Sequence, residues 1–163
     1  MEKKLVVYIL VGLPCSGKST WRQKFLQSNE AHVCSSDDVI DRLCAGAGLT
    51  YNEGFQKFVG QAGAIFNSDV AQGFKSGENL IIDRTNMGAK ARRKFLQLAD
   101  KHGYRKVAVN FIVTDSVIEQ RMKDRFEKTG KSVPDFVMKN MASNYDAPTK
   151  SEGFDEIITV RYP

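Results

Sequence analysis

Only three cysteines and two histidines occur in the 163 residues. Cys15, Cys34 and Cys44 are odd in number and do not stand at the spacing of a metal motif, which argues against a self-contained disulfide framework and suits a reducing, cytoplasmic setting. His32 and His102 have no partner along the chain and are expected to be structural or exposed. No apolar run approaches the ~20 residues of a membrane span, so no membrane partner is expected. The apolar start, residues 5–11, shows no small-residue cleavage site and runs straight into a glycine-rich loop, which marks it as a buried strand rather than a leader. Repeats, low-complexity segments and linkers are also absent, and the length suits one domain, 1–163.

What is present is ordinary for a chain with a real core: 42% hydrophobic and 26% charged residues. The net charge is +5, unevenly spread. Residues 84–131 hold 13 Lys/Arg against 5 Asp/Glu, and the remainder 11 against 14, so a basic middle is attached to an acidic rest. That pattern suits a polyanionic partner, or else the solvated faces of helices.

Strand and helix patterns alternate. Runs at 5–11, 79–83, 106–113 and 156–162 predict strands, and AHVCSSDD (31–38) a short strand entering a polar loop. Helices are predicted at 18–28, 39–46, 52–75, 88–102 with Gly103 past its end, 115–126 with Asp115 as N-cap, and after Pro134. Alternation of this kind implies an α/β fold, a five-stranded parallel sheet sandwiched by helices, with ligands beyond the carboxyl ends of the strands. Four polar segments fall at such ends: GLPCSGKST, SSDD, DRTN and VTD.

The first of these carries the sharpest signal. Gly12, four residues, Gly17, Lys18, Ser19 is the spacing of a phosphate-cradling P-loop, here between a strand and a helix as the motif requires. Gly12, Pro14, Cys15, Ser16 and Gly17 form the loop whose N–H groups can face anionic oxygens. The helix beginning at Lys18 points its positive end at the same place. Lys18 offers a charge to the β- and γ-phosphates of ATP, the Ser19 hydroxyl can ligate Mg²⁺, and Thr20 follows in the same turn. Trp21 is expected to fill core.

Phosphoryl transfer to a hydroxyl wants a carboxylate to orient and deprotonate the attacking oxygen. Asp37 or Asp38 could do so, the other capping the helix that follows. Asp83 ends the third strand where an acid would lie near Mg²⁺ or its water shell, and Thr85 and Asn86 offer hydrogen bonds to a substrate's phosphate or sugar. Arg121 and Arg125 are four apart, so they share a helix face. An arginine brought over the γ-phosphate stabilises transition-state charge, and the Thr129–Gly130 turn suits a mobile lid.

Taken together, GLPCSGKSTW, SSDDV, IIDRTN, RRKF, RFEKTGKSVPDFVM and NYDAPTKSEGFDEI resemble the kinase domain of polynucleotide 5′-hydroxyl kinases, of the phage T4 type and of the animal polynucleotide kinase 3′-phosphatases, which are AAA_33-like P-loop kinases. The resemblance runs nearly end to end and is weakest across 43–76. It implies an adenylate-kinase-like P-loop NTPase fold with an arginine-bearing lid, and ATP- and Mg²⁺-dependent transfer to the 5′-hydroxyl of a DNA or RNA end. It further implies Lys18 and Ser19 in the P-loop roles, Asp37 as general base, Arg125 as lid arginine, and Arg121 beside the nucleotide. The phage-type motif has an arginine three residues after its base where this chain has Ile40, so Arg42 is the expected substitute for gripping the substrate's first phosphate, near Asp38. Nothing resembles the DxDGT phosphatase motif. Two alternatives share the pattern: a P-loop kinase of a small molecule, nucleotide or hydroxymethylated DNA base, and a non-catalytic module similar to that of heterogeneous nuclear ribonucleoprotein U.

Overall fold

The computed structural model describes residues 3–162. Five strands form one sheet: β1 (Val6–Val11), β2 (His32–Ser35), β3 (Leu80–Asp83), β4 (Arg105–Ile112) and β5 (Glu156–Arg161). All pairings are parallel, in the order β2-β3-β1-β4-β5. β1 is central because its side chains are apolar on both faces. Val7, Ile9 and Val11 point to one side, where they pack with Phe66, Val70, Phe95, Leu96 and Ala99. Leu10 and Tyr8 point to the other, against Trp21, Phe25 and Phe111. Period-two alternation supplies both faces at once, and the result is a strand that is hydrophobic throughout.

The helices are α1 (Lys18–Ser28), α2 (Ser36–Gly46), α3 (Tyr51–Gly73), α4 (Ala89–His102), α5 (Asp115–Thr129) and α6 (Asp135–Ser143). α3 and α4 supply the cluster on the first face and α1 that on the second. α1 has no fully buried residue, yet Trp21 and Phe25 stack at 5.1 Å and seat it on Tyr8. α3 opens on a capping box, Thr50 with Glu53, a device that stabilises a helix start by about 1 kcal/mol.

The elements agree with the sequence reading except at several ends. α2 begins at Ser36 rather than at Val39, because the Ser35 hydroxyl accepts from the Asp38 N–H at 3.3 Å and caps the helix. Asp37 and Asp38 therefore lie in a helix's first turn, not in a loop, and neither is the cap. The cap residue of α5 is Thr114 rather than Asp115, and the helix continues to Thr129. A 3₁₀ turn at Lys150–Glu152 was not legible. Among the described residues no helix is long and apolar enough to cross a membrane.

The basic middle is less free than its composition suggests. Arg92 is fully buried and grips Glu152 through two 2.9 Å bonds while donating to the Asn86 and Met87 carbonyls. Arg105 pairs with Glu156, Lys106 with Asp100, and Lys131 with Asp41. Arg92 instead fastens the carboxyl-terminal tail to the β3 loop. The same tail buries Phe154 in the core, and its Asp146 N–H bonds the Met87 carbonyl at 2.8 Å.

Candidate active site

The strand order places the P-loop at the switch point of the sheet. β1 has β3 on one side and β4 on the other, and the chain leaves β1 into residues 12–17. In an open parallel sheet this is where the crevice forms. The loop turns through Pro14 and Cys15, the latter at φ 66, and closes on Gly17 at φ 107. The Gly17 conformation disfavours any side chain. A Cβ there would also lie 2.3 Å from the Tyr162 ring. The Thr85 carbonyl accepts from the Gly12 N–H at 3.0 Å and stitches the P-loop to the β3 loop. The Ser16 hydroxyl is buried and has no hydrogen-bond partner among the described residues. Ser19 and Thr20 lie exposed in the first turn of α1.

Lys18 curls over the loop and donates to the Gly12 and Leu13 carbonyls at 2.5 and 2.9 Å. Burial lowers its pKa to about 8, with Asp83 and then Asp37 pulling the other way. Asp83 is itself pushed up, first by burial, against the pull of Lys18 and Arg22. Arg22, which the sequence reading passed over, links the site: it reaches Asp83 at 2.8 Å and Asp38 at 3.2 Å. It stands four residues after Lys18, hence on the same face of α1, and that spacing was the signal available.

The structure separates the two neighbouring carboxylates. Asp38 turns to Arg22. Asp37 accepts the Tyr51 hydroxyl at 2.8 Å, and burial together with Asp37 raises the Tyr51 pKa. Tyr51 opens α3, inside the segment where the family resemblance is weakest, so sequence gave no sign of it.

α5 crosses the mouth of the crevice. Arg121 donates to the Cys15 carbonyl at 3.2 Å and lies over the Tyr162 ring at 5.1 Å. One turn on, Arg125 has its Nε buried and without a hydrogen-bond partner among the described residues, and its charge is felt at both Lys18 and Tyr51. The loop after α5 is latched onto the α2–α3 hairpin: Asn52 donates to the Gly130 carbonyl at 2.8 Å, and Lys131 reaches Asp41 at 2.7 Å above the Tyr51 ring. α5, this loop and α6 are the segment where the arginine spacing predicts a lid.

The remaining expected residues fall elsewhere. Arg42 is exposed and lines a cleft with His32, Asp69 and Asp38. Ile40 is core. Asn86 is buried at φ 49, and its amide nitrogen is held by the Leu10 carbonyl at 2.8 Å. This makes it a brace for the β3 loop in place of the free substrate ligand expected. Thr85 and Asn86 do border a cavity of about 720 Å³ between the β3 loop, the start of α4 and the end of α6. Arg84, Lys90 and Lys94 line it together with Asp146, and none of the three cations has a carboxylate in ion-pair range among the described residues. Burial lowers the pKa of Arg84, and burial and then Arg84 lower that of Lys94. Arg84 also feels the charge of Asp37.

A five-stranded parallel sheet with a P-loop at its switch point, and an arginine whose charge reaches a lysine of that loop, define the fold of a P-loop domain. Residues 7–148 match the AAA_33 family model, an AAA domain, and the chain belongs to that family. It is 30% identical over 158 residues to heterogeneous nuclear ribonucleoprotein U-like protein 2 of Mus musculus, covering 93% of this chain and 21% of that protein. It is 23% identical over 156 residues to the L-seryl-tRNA(Sec) kinase of Methanococcus maripaludis, covering 92% of this chain and 56% of that one. The chain thus spans about a fifth and about half of these relatives. A candidate kinase of Chloroflexus aurantiacus has the same fold, with a TM-score of 0.75 at 18% identity, covering 99% of this chain and 87% of that one.

Proposed function

We propose that this chain is an ATP- and Mg²⁺-dependent kinase that phosphorylates a hydroxyl of a small, phosphate-bearing acceptor. One observation carries this reading: Lys18 of the P-loop feels the charges of Asp37 and Arg125, and the loop is bonded through Gly12 to Thr85, which borders a cavity lined by Arg84, Lys90 and Lys94 against the single carboxylate of Asp146. The cavity, about 720 Å³, suits a nucleotide-sized molecule. Asp37, held by Tyr51, takes the proton of the acceptor hydroxyl as its oxygen attacks the γ-phosphorus. The bond to the ADP oxygen breaks while Lys18 and the loop N–H groups hold the charge that collects there. Arg125 donates to the oxygens of the phosphoryl group in flight. Ser19, with Asp83 beside the loop, offers only oxygen donors, the set a hard cation prefers, and these residues would hold Mg²⁺. When bound, the ion supplies neutralisation of charge on the β- and γ-oxygens.

The similarity to a kinase named for L-seryl-tRNA(Sec) supports phosphoryl transfer in this family. The comparisons favour the small-acceptor reading over a polynucleotide 5′-hydroxyl. The latter remains the second reading, because Phe126 and Phe136 stand 54% and 76% exposed on the two lid helices, near Lys123 and Lys128, as bases of a strand would require.

The test is transfer of labelled γ-phosphate from ATP to nucleosides, nucleoside 3′-phosphates, 5′-hydroxyl oligonucleotides and hydroxymethylated DNA. Label on nucleoside 3′-phosphates, with KM raised in Arg84→Gln and Lys94→Gln, supports the proposal. Label confined to oligonucleotides supports the second reading. ATP binding with no label on any acceptor supports a non-catalytic nucleotide-binding module.

A further inference from the structure

The three-dimensional fold reverses what the linear sequence says about metals. His32 and Cys34 stand two apart on the edge strand β2, so both side chains face α3. Asp69 reaches back from α3, and an imidazole nitrogen, a thiol sulfur and a carboxylate oxygen lie within 4.8 Å of one another. Cys34 is fully buried. His32 and Asp69 are each 30% exposed and border a cleft of about 970 Å³ that also holds Ser68 and Gln72. Gly73 leaves the room the imidazole needs, since a Cβ there would come within 3.0 Å of the His32 ring.

We infer that His32, Cys34 and Asp69 form a binding site for a single zinc-type divalent cation, with its fourth position open to the cleft. The donor set decides the class of ion. Mg²⁺ and Ca²⁺ take oxygens, and a thiolate beside an imidazole selects a borderline-soft ion instead. Three protein donors with one open position match zinc's tetrahedral habit. The site is therefore distinct from any magnesium position at the P-loop.

The charges also balance. Asp69 meets His32 Nε2 at 2.8 Å and lies within 4.8 Å of the Cys34 sulfur. A divalent cation binds the thiol as thiolate with release of its proton, and one thiolate with one carboxylate neutralises the ion's charge. The consequence is mechanical. β2 is a four-residue edge strand whose end leads within two residues to Asp37. A bridge between β2 and α3 braces that strand without touching the P-loop.

The experiment uses the full chain, reduced and freed of metal with a chelator, titrated with Co²⁺ alone and then with Zn²⁺. A thiolate-to-cobalt charge-transfer band should saturate at one equivalent and disappear on Zn²⁺ addition. Cys34→Ser should lose the band, whereas Cys44→Ser and Cys15→Ser should keep it. Asp69→Asn should weaken binding by tenfold or more. If Cys34→Ser does not fold, His32→Gln provides the equivalent reading, with the thiolate band retained and its midpoint shifted by at least tenfold. Absence of a thiolate band in the unmodified chain, survival of the band in Cys34→Ser, or an unchanged midpoint in both His32→Gln and Asp69→Asn overturns the assignment.

Discussion

Nucleotide binding should draw a proton from solution, and Lys18 should be the group that takes it. Burial holds its ammonium to about pKa 8, against the ordinary 10.5. At pH 8 about half of the free chains then carry a neutral Lys18, and at pH 7 about one tenth. Phosphates seated in the loop place negative charge against the ammonium and favour its protonated form. Binding should therefore take up about 0.5 proton at pH 8 and about 0.1 at pH 7. The sign is opposite for the free fold. Below pH 8 Lys18 is charged both folded and unfolded, at a cost to the fold. Between about 8 and 10.5 the unfolded chain binds the extra proton, so the stability of the free protein contributed by Lys18 rises with pH while nucleotide affinity falls. Titration calorimetry with ADP, in buffers of high and low ionisation enthalpy, reads the uptake directly. Lys18→Arg should abolish it, since a guanidinium stays charged throughout. No buffer dependence at pH 8, or unchanged uptake in Lys18→Arg, would refute the reasoning.

Arg125→Ala removes a guanidinium whose Nε is buried without a partner among the described residues and whose charge reaches Lys18. It should lower kcat by about 10²–10³-fold with ADP affinity intact, by steady-state kinetics and calorimetry. Arg92→Ala leaves Glu152 without its partner. It should cost about 3–5 kcal/mol, a fall of roughly 6–20 °C in Tm by calorimetric melting. Gly17→Ala combines a strained φ of 107 with a 2.3 Å approach to Tyr162, and should lose both stability and nucleotide binding. Adding Tyr162→Ala relieves the clash but not the backbone strain, so the double variant should recover only part of the Tm.

The strands were legible because runs such as LVVYILV are apolar at consecutive positions, the mark of a strand buried on both faces. The P-loop was legible because its chemistry is local: glycines, lysine and hydroxyl sit within eight residues. What joins distant segments was not. Arg92 looked like one cation in a basic stretch, and only the fold shows it held by Glu152, sixty residues on. His32 looked partnerless because Asp69 is brought to it by α3 packing on β2. Asp37 and Asp38 could not be told apart by local residue chemistry, and only the family resemblance pointed to Asp37. Helical rotation in the first turn of α2 turns one to Tyr51 and the other to Arg22. Local sequence cannot reveal such rotation when the helix start itself is misplaced by three residues.

The central claim, catalysis rather than binding alone, rests on Asp37. The measurement is Asp37→Asn assayed in one preparation for ADP affinity and for single-turnover transfer of labelled γ-phosphate to the best acceptor, with Asp38→Asn alongside. The structure predicts near-unchanged ADP affinity and a transfer rate lower by about 10²–10⁴-fold in Asp37→Asn, with a smaller loss in Asp38→Asn. Full-rate transfer by Asp37→Asn, or a dead Asp38→Asn beside an active Asp37→Asn, would contradict it.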